Sequence, residues 1–344
     1  MGLPLLQAPT IRQPRRRVAA RYHRAMPSDP SADRAPIALI GCVDPADQAQ
    51  WLAALRQALP GERVEPAGEI VRPEQVEVAI VANPDPAEVR RFSGLRWLQS
   101  LWAGVERLVA EPAFAALPIV RMVDPGLTRA MTEAVLAWTL YLHREMPAYR
   151  VQQAAAQWRQ IPYRRPGQRR IGLLGAGALG ADAARKLAAA GFPVTAWSRT
   201  PKTLDGIATR HGRDGLNTVL ATSDILIVLL PLTGETRGLI DAAVLALLPA
   251  DAGIINFARG PIVVAADLLA ALDGGRLRHA VLDVFDQEPL PPTSPLWRHP
   301  AVTVLPHIAA DSDPDTAAAI AAANIRQWRT TGRIPPAVDR ARGY

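Results

Sequence analysis

An arginine, a glutamate and a histidine in the last third of this sequence could together hold an anionic substrate and hand it a proton. Six histidines are available. His23 lies in a basic N-terminal stretch, His143 on a long helical pattern and His211 in a loop. His279 opens a strand pattern, and His299 precedes Pro300 in a turn. His307 alone follows the carboxyl end of a strand pattern, Val302–Leu305, the edge at which open parallel sheets bind ligands. Arg259 follows Ile254-Ile-Asn-Phe-Ala258, and Glu288 follows the strand ending Leu282-Asp-Val-Phe285, so both reach that edge. Each alone reads as a cap or loop residue; together they read as a proton donor, a carboxylate and a cation in one crevice.

A second motif suggests what shares the crevice. Arg170-Ile-Gly-Leu-Leu-Gly-Ala-Gly-Ala-Leu-Gly180 sets Gly175, Gly177 and Gly180 as G-x-G-x-x-G, closing a strand pattern and opening a helical one. In that setting the first glycine permits the tight turn, the second lets a pyrophosphate approach the backbone, and the third lets helix and strand pack closely. The end of the following strand selects between dinucleotides. An NAD site wants an acid there for the ribose 2′-hydroxyl. This chain offers Ala196-Trp-Ser-Arg-Thr-Pro-Lys202, with no carboxylate before Asp205. Ser198, Arg199, Thr200 and Lys202 suit a 2′-phosphate, so NADP(H) is expected, with NAD(H) as a weaker alternative.

Positioning these residues requires strands that alternate with helices. Strand patterns run at 37–43, 76–81, 95–101 and 118–122, with a helical pattern at 46–59, and Asp124-Pro125-Gly126 then marks a turn. A long helical stretch follows at 128–146. A second series has six strand patterns, at 171–174, 194–197, 225–230, 253–257, 279–284 and 302–305. Helical patterns at 179–190, 241–248 and 265–272 lie between them, and a last one covers 315–329. The expected fold class is α/β, with two Rossmann-like, doubly wound parallel sheets. The first domain would be discontinuous: 35–127 and 308–344 form a substrate domain, 128–307 an NADP-binding domain, and 1–34 a disordered basic extension.

Composition narrows the function classes. The chain has 344 residues, 49% of them hydrophobic and 21% charged, which suits a folded globular protein. Apolar runs such as Ile225–Leu230 reach seven residues at most, far short of a membrane span. One cysteine, Cys42, excludes a disulfide framework and a thiolate metal site, and no His/Cys/carboxylate spacing suggests a metal. The formal charge of +7 is concentrated in residues 1–34, whose seven arginines and two acids leave only +2 for the rest. The folded part therefore carries no basic footprint for nucleic acid. The extension lacks the apolar core of a secretory signal, so a cytoplasmic protein is expected.

The motifs Gly175–Gly180, Leu230-Pro-Leu-Thr233, Asn256-Phe-Ala-Arg-Gly260, Leu282-Asp-Val-Phe-Asp-Gln-Glu-Pro289 and Pro306-His-Ile-Ala-Ala310 resemble those of the D-isomer-specific 2-hydroxyacid dehydrogenases. Trp197-Ser-Arg199, Pro291–Trp297 and Val338–Tyr344 are similar to its glyoxylate/hydroxypyruvate reductase branch. The resemblance implies that Arg259 holds the substrate carboxylate and carbonyl oxygen, that His307 is the general acid, and that Glu288 orients its ring and stabilises its charge. It implies a substrate loop at Leu101-Trp-Ala-Gly-Val105, with Trp102, Ala103 and Gly104 against the substrate; the family usually has a small residue where Trp102 stands. Cofactor contacts are implied for Gly175, Ala176, Gly177, Ala178, Leu179, Gly180, Ser198, Arg199, Thr200, Lys202, Leu230, Pro231, Thr236, Ala258 and Ala309, with Asp283 facing the nicotinamide end. Helix 128–146 would form a homodimer interface, and Trp158 would either pack within the linker or reach a neighbouring subunit's site. The implied activity is NADPH-dependent reduction of glyoxylate and hydroxypyruvate. A reductase of larger 2-keto acids and a non-catalytic dinucleotide-sensing protein are the alternatives.

Overall fold

The computed structural model describes residues 34–41 and 44–343. The expected extension up to residue 33, together with Cys42, Val43 and Tyr344, lies outside the described residues. Arg34, grouped above with that extension, instead forms an ion pair with Glu62 at 2.7 Å.

The first half folds as β1 (Ile37–Gly41), α1 (Pro45–Ala58), β2 (Val64–Pro66), β3 (Val78–Ala82), α2 (Pro86–Val89), β4 (Trp97–Ser100), α3 (Glu106–Ala110) and β5 (Ile119–Val120). Two helices, α4 (Pro125–His143) and α5 (Met146–Ala154), lead into the second half. There the order is β6 (Ile171–Leu174), α6 (Ala178–Ala189), β7 (Val194–Ser198), β8 (Ala208–His211), α7 (Gly212–Thr222) and β9 (Ile225–Val228). It continues with α8 (Ala242–Leu245), β10 (Ala252–Asn256), α9 (Ala265–Asp273), β11 (Leu277–Leu282), β12 (Val302–Val304) and α10 (Pro314–Thr331).

Every strand pairing is parallel. One sheet has five strands in the order β2-β1-β3-β4-β5, the other seven in the order β12-β11-β10-β9-β6-β7-β8. Both are doubly wound, and in the larger sheet the strand order reverses between β6 and β9, which opens a crevice at their carboxyl ends. The expected α/β class with two such sheets is what the chain adopts. Two strands were absent from the sequence reading, β2 and β8. His211, read there as a loop residue, ends β8.

Buried parallel strands read as continuous apolar runs because both faces are covered. One face of the five-stranded sheet, with Leu39, Ile80 and Trp97, packs on α1 and on Ala318, Ala321, Ile325 and Trp328 of α10. The seven-stranded sheet has a core on each face; Met131, Val135 and Leu142 of α4 join one of them. These three side chains of α4 are consumed inside the chain, while Leu140 on the same helix stays exposed. Further exposed apolar side chains lie on α5 and beyond it, among them Met146, Tyr149, Val151, Trp158 and Tyr163. Trp158 is 99% exposed, so it does not pack within the linker.

Local signals start the two long helices. Asp124 and Asp313 are N-caps, each followed by proline at the first helical position, and Gly332 ends α10 in the left-handed region at φ 68°. The expected helix 128–146 begins earlier, at Pro125, and stops at His143, because Glu145 adopts φ 58° and starts α5. Asp124 also joins the two chain crossings between the sheets. One carboxylate oxygen accepts from Gly126 N at 2.6 Å and the other from Thr316 Oγ1 at 2.7 Å.

Candidate active site

The carboxyl ends of β6, β7, β9, β10 and β11 face the loop after β4 across a cleft of about 1110 Å³. The glycine-rich turn forms its floor. Gly175 has φ 113°, and a Cβ there would collide with the Leu229 carbonyl that lies across the β6–β9 crevice. Gly177, the N-cap of α6, has open space where a Cβ would project. A turn that tight, opening a helix beside free space, fits a dinucleotide pyrophosphate. Ala176, Ala178, Leu179 and Gly180 line the cleft with it, as do Leu230, Pro231, Thr236 and Ala258.

At the end of β7, Ser198, Arg199, Thr200 and Lys202 all line the cleft. Several are already engaged. Ser198 Oγ donates to Thr200 O at 2.8 Å, Lys202 Nζ donates to Ala176 O at 3.0 Å, and Arg199 Nη1 pairs with Glu235 at 2.8 Å. Glu235 lay outside the sequence reading. A 2′-phosphate at this position would compete with it for Arg199.

Arg259, Glu288 and His307 line the same cleft. His307 stands at φ 58°, a left-handed conformation uncommon outside glycine, with its ring half exposed. Its Nδ1 lies 2.7 Å from Glu288 Oε2, while Phe285 N donates to Glu288 Oε1 at 2.9 Å. Asp283 is buried and accepts from Ile308 N at 2.7 Å and Ala309 N at 2.9 Å. Burial pushes its carboxyl above the usual range, against the pull of those two N–H groups. The role expected of Asp283 at the nicotinamide end is therefore joined by another: it holds the segment that carries His307. Ala309, expected among the cofactor contacts, is buried beside the cleft with its amide donated to Asp283.

Arg259 is framed by residues that sequence reasoning passed over. Buried Asn256 donates from Nδ2 to Arg259 O at 3.2 Å and accepts from Ala258 N at 3.1 Å, fixing the turn. Arg259 Nη1 donates to Ala258 O at 2.7 Å, and Nε donates to Glu106 Oε1. Asn256 stood inside a quoted motif and could have been found there; Glu106 carries no such signal. Ala103 and Gly104 line the cleft opposite, and any side chain at Gly104 would overlap Arg259 Nη2. Trp102 also lines it, but its ring packs edge-on against Trp51, centroids 5.7 Å apart, so it leans on the core of the first sheet.

Residues 136–309 match the family model described as D-isomer specific 2-hydroxyacid dehydrogenase, NAD binding domain. The chain belongs to this family. Solved structures of D-isomer specific 2-hydroxyacid dehydrogenases agree over almost the whole length. One from Xanthobacter autotrophicus, in complex with NADPH and MES, is 40% identical with a TM-score of 0.86, covering 90% of this chain and 100% of that one. An NADPH-dependent glyoxylate/hydroxypyruvate reductase from Sinorhizobium meliloti, in complex with NADP and sulfate, is 35% identical with a TM-score of 0.84 over the same shares. A probable 2-hydroxyacid dehydrogenase from Rhizobium etli, in complex with NADP, HEPES and L(+)-tartaric acid, is 32% identical with a TM-score of 0.82, again over 90% and 100%. Among the described residues of this family member, no helix is long and apolar enough to cross a membrane.

Proposed function

We propose that this 2-hydroxyacid dehydrogenase reduces small 2-oxo acids with NADPH, glyoxylate and hydroxypyruvate foremost. The observation that carries the reading is the meeting, in one cleft, of Arg259 and the Glu288–His307 pair with the glycine-rich turn. The basic end of β7 and the NADP-bound relatives support the phosphorylated cofactor. Bound there, the nicotinamide supplies a hydride to the keto carbon.

The chain's own residues do the rest. Arg259 faces the Gly104 loop and polarises the keto oxygen, while backbone N–H groups of residues 103–105 hold the carboxylate. Glu288 is an acceptor, so Nδ1 of His307 carries the proton of that bond and Nε2 is the nitrogen free to serve the substrate. His307 delivers its Nε2 proton to the oxygen as the carbon gains hydride, giving the 2-hydroxy acid. The exposed apolar side chains on α5 and after it suit a second copy of this chain, and we place the enzyme as a homodimer in the cytoplasm. The test is an NADPH-oxidation assay with glyoxylate, hydroxypyruvate, pyruvate and phenylpyruvate, repeated with NADH. Rapid turnover of the two small acids with NADPH is expected. A preference for phenylpyruvate would overturn the substrate assignment, and no turnover with any of the four would leave the cleft a binding site only.

A further inference from the structure

Two charged groups in the cleft wall come from different sheets and meet on each other. Arg259 follows β10 of the seven-stranded sheet, and Glu106 is the first residue of α3, after β4 of the five-stranded one. Arg259 Nε donates to Glu106 Oε1, and the two side chains are only 32% and 25% exposed. A guanidinium has two edges that match a carboxylate, the Nε–Nη2 side and the Nη1–Nη2 end. Glu106 occupies Nε, Ala258 O takes one Nη1 proton, and Nη2 faces Gly104. The Nε–Nη2 side edge is therefore closed to a second carboxylate, and what Arg259 presents to the cleft is Nη2 with the remaining Nη1 proton.

The distinction matters for a 2-oxo acid. Its carboxylate carries the full charge and makes hydrogen bonds about twice as strong as those of a neutral keto oxygen. Offered an open side edge, the carboxylate would take it bidentately, and the keto carbon would be displaced from His307 Nε2. We propose that Glu106 is a positioning residue: it denies the substrate carboxylate the side edge of Arg259, commits it to the residue 103–105 backbone, and reserves Nη2 for the keto oxygen. This rests on the reading of Arg259 as the substrate anchor.

The experiment compares Glu106→Ala, Glu106→Gln and Arg259→Ala in the full chain, with NADPH and glyoxylate. NADPH affinity and thermal midpoint serve as controls for folding. The alanine variant vacates the edge, so kcat falls about tenfold or more, the worth of one charge-assisted bond. KM stays level or falls, and oxamate, a non-reducible mimic of the substrate, inhibits more tightly. The glutamine variant still accepts from Nε–H, keeps the edge filled and restores kcat to within about threefold of the parent, because a neutral acceptor retains roughly half the bond. A merely structural role would instead raise KM and leave oxamate no tighter. That pattern overturns the proposal, as do equal losses in the alanine and glutamine variants. If Glu106→Ala behaves as the parent while Arg259→Ala is inactive, the Glu106 proposal alone fails. If Arg259→Ala turns over normally, the anchor reading fails and takes the proposal with it. Should Glu106→Ala not bind NADPH, Glu106→Ser, which also empties the edge, is read in its place.

Discussion

His307 Nδ1 stands 2.7 Å from one oxygen of Glu288, whose other oxygen is held by the Phe285 amide at 2.9 Å. The ring is fixed by a carboxylate that is itself fixed, which settles the tautomer as well as the direction of Nε2. His307→Ala should remove most turnover at every pH, on the order of 10²–10⁴-fold for a lost general acid, with NADPH binding intact. Glu288→Gln keeps the shape, but an amide can also donate, which lets the wrong tautomer form. It should lower kcat with little change in KM or NADPH affinity. Near-parental kcat in His307→Ala would refute the assignment.

Arg199 and Glu235 give opposed predictions for the cofactor. Arg199→Asp should weaken NADPH far more than NADH, since a charge-assisted phosphate bond of about 1.5–3 kcal/mol is replaced by repulsion. Glu235→Ala should instead tighten NADPH by up to about fivefold, because it removes an exposed competitor pair worth roughly 0–1 kcal/mol. Fluorescence titration with both nucleotides reads the two effects. Equal changes for NADPH and NADH would put Arg199 away from the 2′-phosphate.

His279 supplies a prediction about pH. Its ring is buried against Thr303 Oγ1 at 2.9 Å, and burial, then the charges of Arg278 and His299, lower its pKa from 6.5 to about 4. Between those values the unfolded chain binds a proton that the folded chain refuses. Stability attributable to this group is therefore complete above about pH 6.5 and lost as pH falls toward 4, by about 3 kcal/mol at most. Urea denaturation at pH 7 and pH 5 should show the loss, and His279→Asn should show less of it. An equal loss in the variant would locate the acid sensitivity elsewhere.

The exposed apolar side chains of α5 and the segment after it predict the assembly. Light scattering at micromolar concentration should give a dimer, and Val151→Glu with Trp158→Glu should shift it toward monomer. A parental protein that ran as a monomer would count against that surface as the interface.

Much of this architecture is legible in residue patterns, for a physical reason. The strands around the glycine-rich turn are buried on both faces, so Ile171–Leu174 and Ile225–Val228 stand out as unbroken apolar runs, and Ala252–Asn256 departs from one only at Asn256. Ala208–His211 is an exposed edge strand whose pairing with β7 is made by backbone alone, and Ala-Thr-Arg-His carries no apolar alternation. His307 and Glu288 were visible because they follow strand ends. Glu106 was not, because its partner lies 153 residues away and the contact exists only once two sheets face each other.

The face of the five-stranded sheet that carries Trp97 is closed by α10, with Trp328 edge-on to Trp97 at 6.0 Å between centroids. During synthesis the strands of that sheet leave the ribosome first and their cover leaves near the end. The nascent chain must therefore carry a partly open apolar face while the whole seven-stranded sheet is made. A chain halted before Pro314 would have that face covered by α1 alone, with Trp97 short of its Trp328 partner, an invitation to chaperones and to aggregation. The N-terminal sheet, first to be translated, is thus the last part of this enzyme to be sealed.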